Sequence, residues 1–499
     1  MTDPVVSTRG GAVRGTEIAD GVLAWRGIPY AAAPVGDLRW RLPQPPQSWA
    51  GVRDALGYGP LAIQPDLGMV AAGPGTVAPD DLPEPDEDCL YLNVTAPADA
   101  DGLPVVVWIH GGGYHLGNGT QGPGDGSRFA AAHRAVVVSF NYRLGALGFL
   151  AIPGEDHTGA YGLHDQIAAL RWVYDNIAGF GGDPARVTVF GVSAGAKSVA
   201  NLLASPLTTG LFSGAVSYSG GADHVSTADQ DARQRKRYVR GLGLADATDL
   251  RSVPAADLLA AQDGLAAGMR ATWVWRPSVD GLALDRPPLD AIAGGSAVGV
   301  PLLVQHCLLE GLLYDVLVPG AADEADQVLT GLFGAETAAT IRTGYAKARP
   351  ELAGDPHRLR LEIFSDERYA IASTRVADAQ SHHAPVWRSR FDGPLPDFPV
   401  PGAPPGPLPA THGTDVTGAW FGLGPAGPDL FAAVGAFVTG GDPQAGALPA
   451  WDAYDDERRA TMVLGAGGGS VEADPFSSQR ELWTGRTWPS GTWWPIDSL

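Results

Sequence analysis

Three features of the sequence together predict an α/β architecture: a large, mostly parallel central sheet with helices on both faces. First, short continuous apolar runs recur at Pro104–Ile109, Ala135–Tyr142 and Val187–Val192. A strand with no polar alternation is buried on both faces, as in parallel sheets. Second, stretches with apolar residues at helical spacing lie between and after these runs, at Asp165–Ile177 and from Ser193 onward. Strands alternating with helices in this way build a sheet covered on both sides. Third, 45% of the 499 residues are hydrophobic and only 18% are charged, which allows a large core and argues against disorder.

In chain order, the first hundred residues are rich in Pro and Gly, with Val5–Gly15 and Gly21–Trp25 reading as short hairpin strands. Residues 66–86 lack periodicity and carry several turn formers, so a long surface loop is expected, of a kind that often serves as a lid or binding loop. The three buried strands and their helices follow, then further short strands at Gly214–Tyr218 and Val300–Gln305. Residues 226–299 and 320–380 are largely helical in pattern and fall between sheet segments. They are read as insertions over one sheet, so the chain 1–499 is expected to form a single domain. Residues 393–409 are too Pro-rich for a helix or a central strand and serve as a connector leading to His412.

The net charge is −21, from 34 Lys+Arg against 55 Asp+Glu. Such a chain repels nucleic acid and anionic membranes, and the charge reads as a solubility device. No apolar stretch of about 18 residues escapes interruption, so no membrane span is expected. The opening residues lack a basic segment followed by an apolar one, and a cytoplasmic location is expected. Cys89 and Cys307, the only two cysteines, then read as free thiols. With no Cys-x-x-Cys and no His-Glu-x-x-His, no zinc site is expected. Gly117-x-Gly-x-x-Gly122 spells a dinucleotide fingerprint but opens no helix, and Asn93 and Asn118 spell glycosylation sites that mean nothing without export.

The chemistry concentrates in a few segments. Gly191-Val-Ser193-Ala-Gly195 fits G-x-S-x-G, a weak pattern by itself. Here a β-branched strand precedes it and a helical segment follows, as a sharp nucleophile turn requires. His110-Gly111-Gly112-Gly113-Tyr114 directly follows the first buried strand. Acyl transfer builds negative charge on a carbonyl oxygen, and glycines let backbone N–H groups approach it. The amides of Gly112, Gly113 and Ala194 are the candidate oxyanion hole. A nucleophilic serine also needs a base, and the base needs an orienting acid. After Ser193 the histidines are His224, His306, His357, His382, His383 and His412. His382 and His383 look like helix-end residues, whereas His412 lies in a loop after the Pro-rich connector, which suits a base at the sheet's rim. Glu310, after a strand and an apolar stretch, is a candidate acid, but pattern alone leaves Asp280 and Asp315 open. Trp273 and Trp275 could line a pocket or simply pack.

Several longer segments carry a resemblance. Trp25-Arg-Gly-Ile-Pro-Tyr-Ala31, Glu87-Asp-Cys-Leu-Tyr-Leu-Asn93, Trp108-Ile-His-Gly-Gly-Gly113, Asn141-Tyr-Arg-Leu-Gly-Ala-Leu-Gly-Phe149 and Asn176-Ile-Ala-Gly-Phe-Gly-Gly-Asp-Pro184 occur in this order. Together they resemble the type-B carboxylesterase family, which includes cholinesterases and bacterial esterases active on nitrobenzyl esters. The resemblance spans nearly the whole chain. It implies an α/β-hydrolase fold, a small-molecule ester as substrate, no cofactor, and a serine esterase with Ser193 as nucleophile, Glu310 as acid and His412 as base. It also implies that Ser219 supports the acid. An acyltransferase or tailoring enzyme using the same residues is the alternative. A non-catalytic relative would usually have lost the nucleophile. Three positions depart from the family pattern. Val192 stands where Glu usually precedes the nucleophile. Ala62 stands where a Cys often pairs with the position of Cys89. Leu309 precedes the acid in place of an acidic residue.

Overall fold

The computed structural model describes residues 4–65, 77, 82–153, 159–266, 274–317, 320–394 and 409–488. Its strands are β1 (Val5–Ser7), β2 (Ala12–Arg14), β3 (Thr16–Ala19), β4 (Val22–Pro29), β5 (Val52–Asp54), β6 (Tyr91–Pro97) and β7 (Leu103–Ile109). They continue with β8 (Val136–Phe140), β9 (Gly182–Val192), β10 (Gly214–Tyr218), β11 (Leu302–Cys307), β12 (Val386–Phe391), β13 (Ala460–Gly465) and β14 (Gly468–Ala473). Eleven of them form one sheet in the order β14-β13-β12-β11-β10-β9-β7-β8-β6-β4-β3, and β1-β2-β5 form a small second sheet. The central seven, from β8 to β13 in that order, run parallel to one another. Antiparallel strands close both edges.

The apolar runs have the double-sided burial that their composition implied. In β7, Val105, Val107 and Ile109 pack into one hydrophobic cluster, while Val106 and Trp108 pack into another on the opposite face. In β8, Val136, Val138 and Phe140 join the first cluster and Val137 the second. Successive side chains of a strand point to opposite faces, so a strand covered on both sides must be apolar throughout. The helix Tyr161–Asn176 lies on the first face, its Leu163, Ile167, Leu170 and Val173 fully or nearly fully buried.

Several boundaries differ from the sequence reading. The helix expected from Asp165 begins at Tyr161, because Asp165 is not a first-turn residue but a buried partner of Arg143. β9 starts five residues before Val187, and β11 is displaced to Leu302–Cys307. Val5–Gly15 holds two short strands paired antiparallel, and the strand read at Gly21–Trp25 runs from Val22 to Pro29. β6 and the β13–β14 hairpin were not anticipated. The predicted helical insertions contain Ala228–Gly241, Ala255–Ala266 and Pro288–Ala293, and then Ala325–Phe333, Ala335–Ala348, Pro356–Ser365 and Ile371–Ser381. Most of the 66–86 loop, the connector over 395–408 and Trp273 lie outside the described residues. Among the described residues no helix is long and apolar enough to cross a membrane.

Candidate active site

In a parallel sheet, functional residues gather beyond the carboxyl ends of the strands. Ser193 follows β9, Ser219 follows β10, and Glu310 follows β11 at the same edge of the sheet. The His110–Tyr114 loop follows the neighbouring β7.

Ser193 turns the chain from β9 into the helix Ala194–Ala204 with φ 57° and ψ −122°, a strained conformation for a side-chain-bearing residue. The turn is packed so tightly that its flanking glycines are required. A Cβ on Gly191 would stand 2.2 Å from the Gly195 carbonyl oxygen, and one on Gly195 would stand 2.1 Å from that of Ile109. The Ser193 amide donates to the Tyr218 carbonyl at 2.9 Å, fixing the turn to the end of β10.

The next residue along β10's exit links this turn to the candidate acid and base. The Ser219 hydroxyl donates to Glu310 Oε1 at 2.6 Å, and the Cys307 amide donates to the same oxygen at 2.7 Å. Glu310 Oε2 lies 2.6 Å from His412 Nδ1. Glu310 is fully buried, and His412 is 8% exposed. Two rings flank His412: Tyr369 at 4.5 Å between centroids and Tyr314 at 5.4 Å. The two tyrosine hydroxyls are hydrogen-bonded to each other.

The other candidates have different partners. Asp280 accepts from His164 at 2.9 Å and from two backbone amides. Asp315 pairs with His357 at 3.0 Å. His306 is buried against Phe476, and His224 stacks on Tyr114. His382 caps the end of the helix Ile371–Ser381 and is exposed, as its position in the sequence suggested. Trp275 packs edge-to-face on Tyr238 inside the core.

The glycine loop lies against the nucleophile turn. A Cβ on Gly111 would come within 3.0 Å of the Ser193 Cβ. Gly112 has φ 109°, and a Cβ there would strike the Leu116 carbonyl at 2.1 Å. Among the described residues, neither the Gly112 amide nor the Gly113 amide meets a backbone carbonyl. Ala194 is the first residue of its helix, where the amide has no intrahelical partner.

A family model described as the carboxylesterase family matches residues 2–483. The chain belongs to the carboxylesterase family. It is 36% identical to para-nitrobenzyl esterase of Bacillus subtilis (strain 168), over 96% of this chain and 98% of that protein. It is also 36% identical to fumonisin B1 esterase of Sphingopyxis macrogoltabida, over 93% and 87%. A solved structure of a PNB esterase superimposes with a TM-score of 0.81 over 96% of this chain and all of that one, at 36% identity. A carboxylesterase of Geobacillus stearothermophilus gives 0.82 at 33% identity, over 96% of this chain and all of that one. The α/β-hydrolase fold and carboxylic ester hydrolysis follow for this chain.

The segments that signalled the family mostly brace the scaffold of this carboxylesterase. Arg39 forks onto Glu87 at 2.5 and 2.7 Å. Arg143 forks onto fully buried Asp165 at 2.7 and 2.8 Å. Cys89 and Cys307 are free and buried, and burial pushes both thiols up. Behind Glu310 stands Asp415, which sequence reasoning did not single out. It is fully buried and accepts from Gln305 at 2.8 Å. Burial, then the charge of Glu310, pushes its carboxyl up to about 7. The two tyrosines around His412 were also missed. Tyr369 comes from the inserted helical region and Tyr314 from the short helix Leu312–Leu317 just after Glu310, and nothing local marks either.

Proposed function

We propose that this carboxylesterase works through Ser193, His412 and Glu310 by two-step acyl transfer. The observation that carries the reading is the continuous Ser219–Glu310–His412 hydrogen-bond chain, anchored one residue from the carbonyl that holds Ser193. Ser193 Oγ attacks the ester carbonyl while His412 Nε2 takes its proton. Glu310 holds Nδ1–H and stabilises the imidazolium. Negative charge on the carbonyl oxygen is met by the amides of Gly112, Gly113 and Ala194; among the described residues the first two meet no backbone carbonyl, and Ala194 opens its helix. His412 returns the proton to the leaving alcohol, then takes one from water, and the acid is released. The residues supply nucleophile, base and oxyanion donors, so the reaction needs no cofactor. Relatives named for para-nitrobenzyl esters, fumonisin B1 and phenmedipham support a small-molecule ester as substrate.

We read the chain 1–499 as one domain in which 226–299 and 320–380 are insertions over the sheet. The acidic surface and two free thiols support a cytoplasmic enzyme that binds neither nucleic acid nor membrane. The test is labelling by a fluorophosphonate probe together with hydrolysis of p-nitrophenyl butyrate. Ser193→Ala should abolish labelling and lower kcat by about 10⁴-fold or more. Turnover within tenfold of the parent would overturn the assignment.

A further inference from the structure

The backbone around His412 is well fixed. The Leu309 amide donates to the Ala410 carbonyl at 3.0 Å, the Leu313 amide to the Thr411 hydroxyl at 2.9 Å, and that hydroxyl to the Glu310 carbonyl at 3.3 Å. The imidazole is held less completely. Among the described residues it makes one hydrogen bond, from Nδ1 to Glu310 Oε2. One bond at one atom does not set the plane of the ring, because the last torsion of a histidine side chain is broad. A tilt about that bond swings Nε2, the atom that must meet Ser193. Catalytic groups work only when held to within about 0.5 Å and 10–20°, so something besides Glu310 must restrain the ring.

Two tyrosines are placed to do so. The Tyr369 ring lies 4.5 Å from the imidazole with the planes 34° apart, and the Tyr314 ring lies 5.4 Å away at 39°. The two phenol rings are nearly parallel, 7° apart at 6.2 Å, and their hydroxyls are bonded to each other. Both are buried. Phe364 packs edge-on against Tyr314 at 5.7 Å, the Arg368 guanidinium stands 4.9 Å over the same ring, and the Lys197 ammonium stands 5.5 Å from the centre of the Tyr369 ring. The pair is thus itself held in place. Tyr369 comes from Asp366–Ala370, a π-helical turn between two α-helices, where the Ile371 amide donates to the Asp366 carbonyl five residues back. Such turns are rare and recur at functional sites. All five residues of this one are buried, so it is not a loosening of the helix at the surface.

We propose that Tyr369 is a positioning residue for the reaction: its ring, locked to Tyr314 through the hydroxyl pair, holds the plane of the His412 imidazole so that Nε2 stays aimed at Ser193 through both steps. The inference rests on His412 as base. Glu310 fixes the tautomer and one end of the ring, and Tyr369 fixes the tilt. The flat aromatic face carries the role and the hydroxyl only anchors it. Replacing both hydroxyls by hydrogen removes donor and acceptor together, which a buried site tolerates. Replacing the ring by a branched aliphatic side chain removes the face.

The test is steady-state hydrolysis of p-nitrophenyl butyrate with the rate of fluorophosphonate labelling as second readout and circular dichroism as the check on folding. Tyr369→Leu should lower kcat by about ten- to a hundredfold, the scale of a base misplaced by about 1 Å, and slow labelling in parallel while KM hardly changes. The double variant Tyr369→Phe with Tyr314→Phe keeps both faces and should recover most of the lost kcat. A folded Tyr369→Leu enzyme with kcat within about threefold of the parent, a loss confined to KM, or a double variant as slow as Tyr369→Leu overturns the proposal. If Tyr369→Leu does not fold, Tyr369→Met, whose flexible chain refills the space, takes its place under the same criteria. His412→Ala, run alongside, separates the two readings. If it keeps kcat and labelling, His412 is not the base and this inference fails with that assignment; if it loses both while Tyr369→Leu loses neither, this inference alone fails.

Discussion

Replacing Glu310 by glutamine exchanges one oxygen for an NH₂ group in a fully buried site. Its consequence can be worked from three bonds. Oε1 receives the Ser219 hydroxyl at 2.6 Å and the Cys307 amide at 2.7 Å. The Cys307 amide can only donate, so the glutamine oxygen must occupy that position. The new NH₂ is then forced onto His412 Nδ1, where Oε2 stood at 2.6 Å. A neutral imidazole has one donor and one acceptor nitrogen, so Nδ1 must become the acceptor and the proton moves to Nε2. That is the nitrogen required to take the Ser193 proton. A wrong tautomer at such a base costs about 10⁴-fold in kcat, or about 5 kcal/mol of barrier. KM should hardly change. The assay is steady-state release of p-nitrophenol from p-nitrophenyl butyrate, with the rate of fluorophosphonate labelling as a second readout and circular dichroism as a check on folding. A folded Glu310→Gln enzyme with kcat within tenfold of the parent would show that Glu310 does not set the tautomer of His412.

Other perturbations bear on neighbouring points. His412→Ala should lower kcat as severely, while His382→Ala, at an exposed helix end, and His383→Ala should stay within about twofold of the parent; a large loss at His383 with none at His412 would reverse the assignment. Titration of the denatured chain with a thiol reagent should find both cysteines reactive, and the native enzyme should react slowly because both are buried; finding no thiols would mean a Cys89–Cys307 bridge. Asp415→Asn tests the buried acid behind Glu310. The folded state holds the Asp415 proton up to about pH 7, whereas an unfolded Asp releases it near pH 4, so this group's stabilisation is complete below about pH 4 and is lost as pH rises to 7. That loss is at most about 4 kcal/mol. Urea midpoints between pH 4.5 and 8 should therefore fall less steeply in Asp415→Asn than in the parent, and a steeper fall would contradict the burial argument.

What could be read from the sequence follows from how local each signal was. β7, β8 and β9 were legible because burial on both faces demands unbroken apolar runs. The turn at Ser193 was legible because its steric demand falls on its own neighbours, Gly191 and Gly195. β6 was not legible. Its Asn93 interrupts the apolar run, and that residue is buried for its bonds to the Gly27 amide and the Gly119 carbonyl. The β13–β14 hairpin turns through Gly465–Gly468, and a run of glycines there reads as a loop. Glu310 could not be separated from Asp280 and Asp315 by pattern, since each lies near an apolar segment. Only the fold reveals that the other two carboxylates serve His164 and His357.

The bond between acid and base joins residues 102 positions apart, and the support from Ser219 to Glu310 spans 91 more. At the ribosome, where chains grow by about 5–20 residues per second, roughly 5–20 s separate the synthesis of Glu310 from that of His412. During that interval β9, β10 and β11 can already assemble side by side, while Glu310 still lacks its His412 partner. On the proposed assignment of Ser193, Glu310 and His412, the chain has no competent catalytic centre until β12 and the segment beyond it have been made. Hydrolysis recovered after denaturation should thus be a late event, reporting docking of the His412 loop beside Glu310 and trailing the return of helical signal.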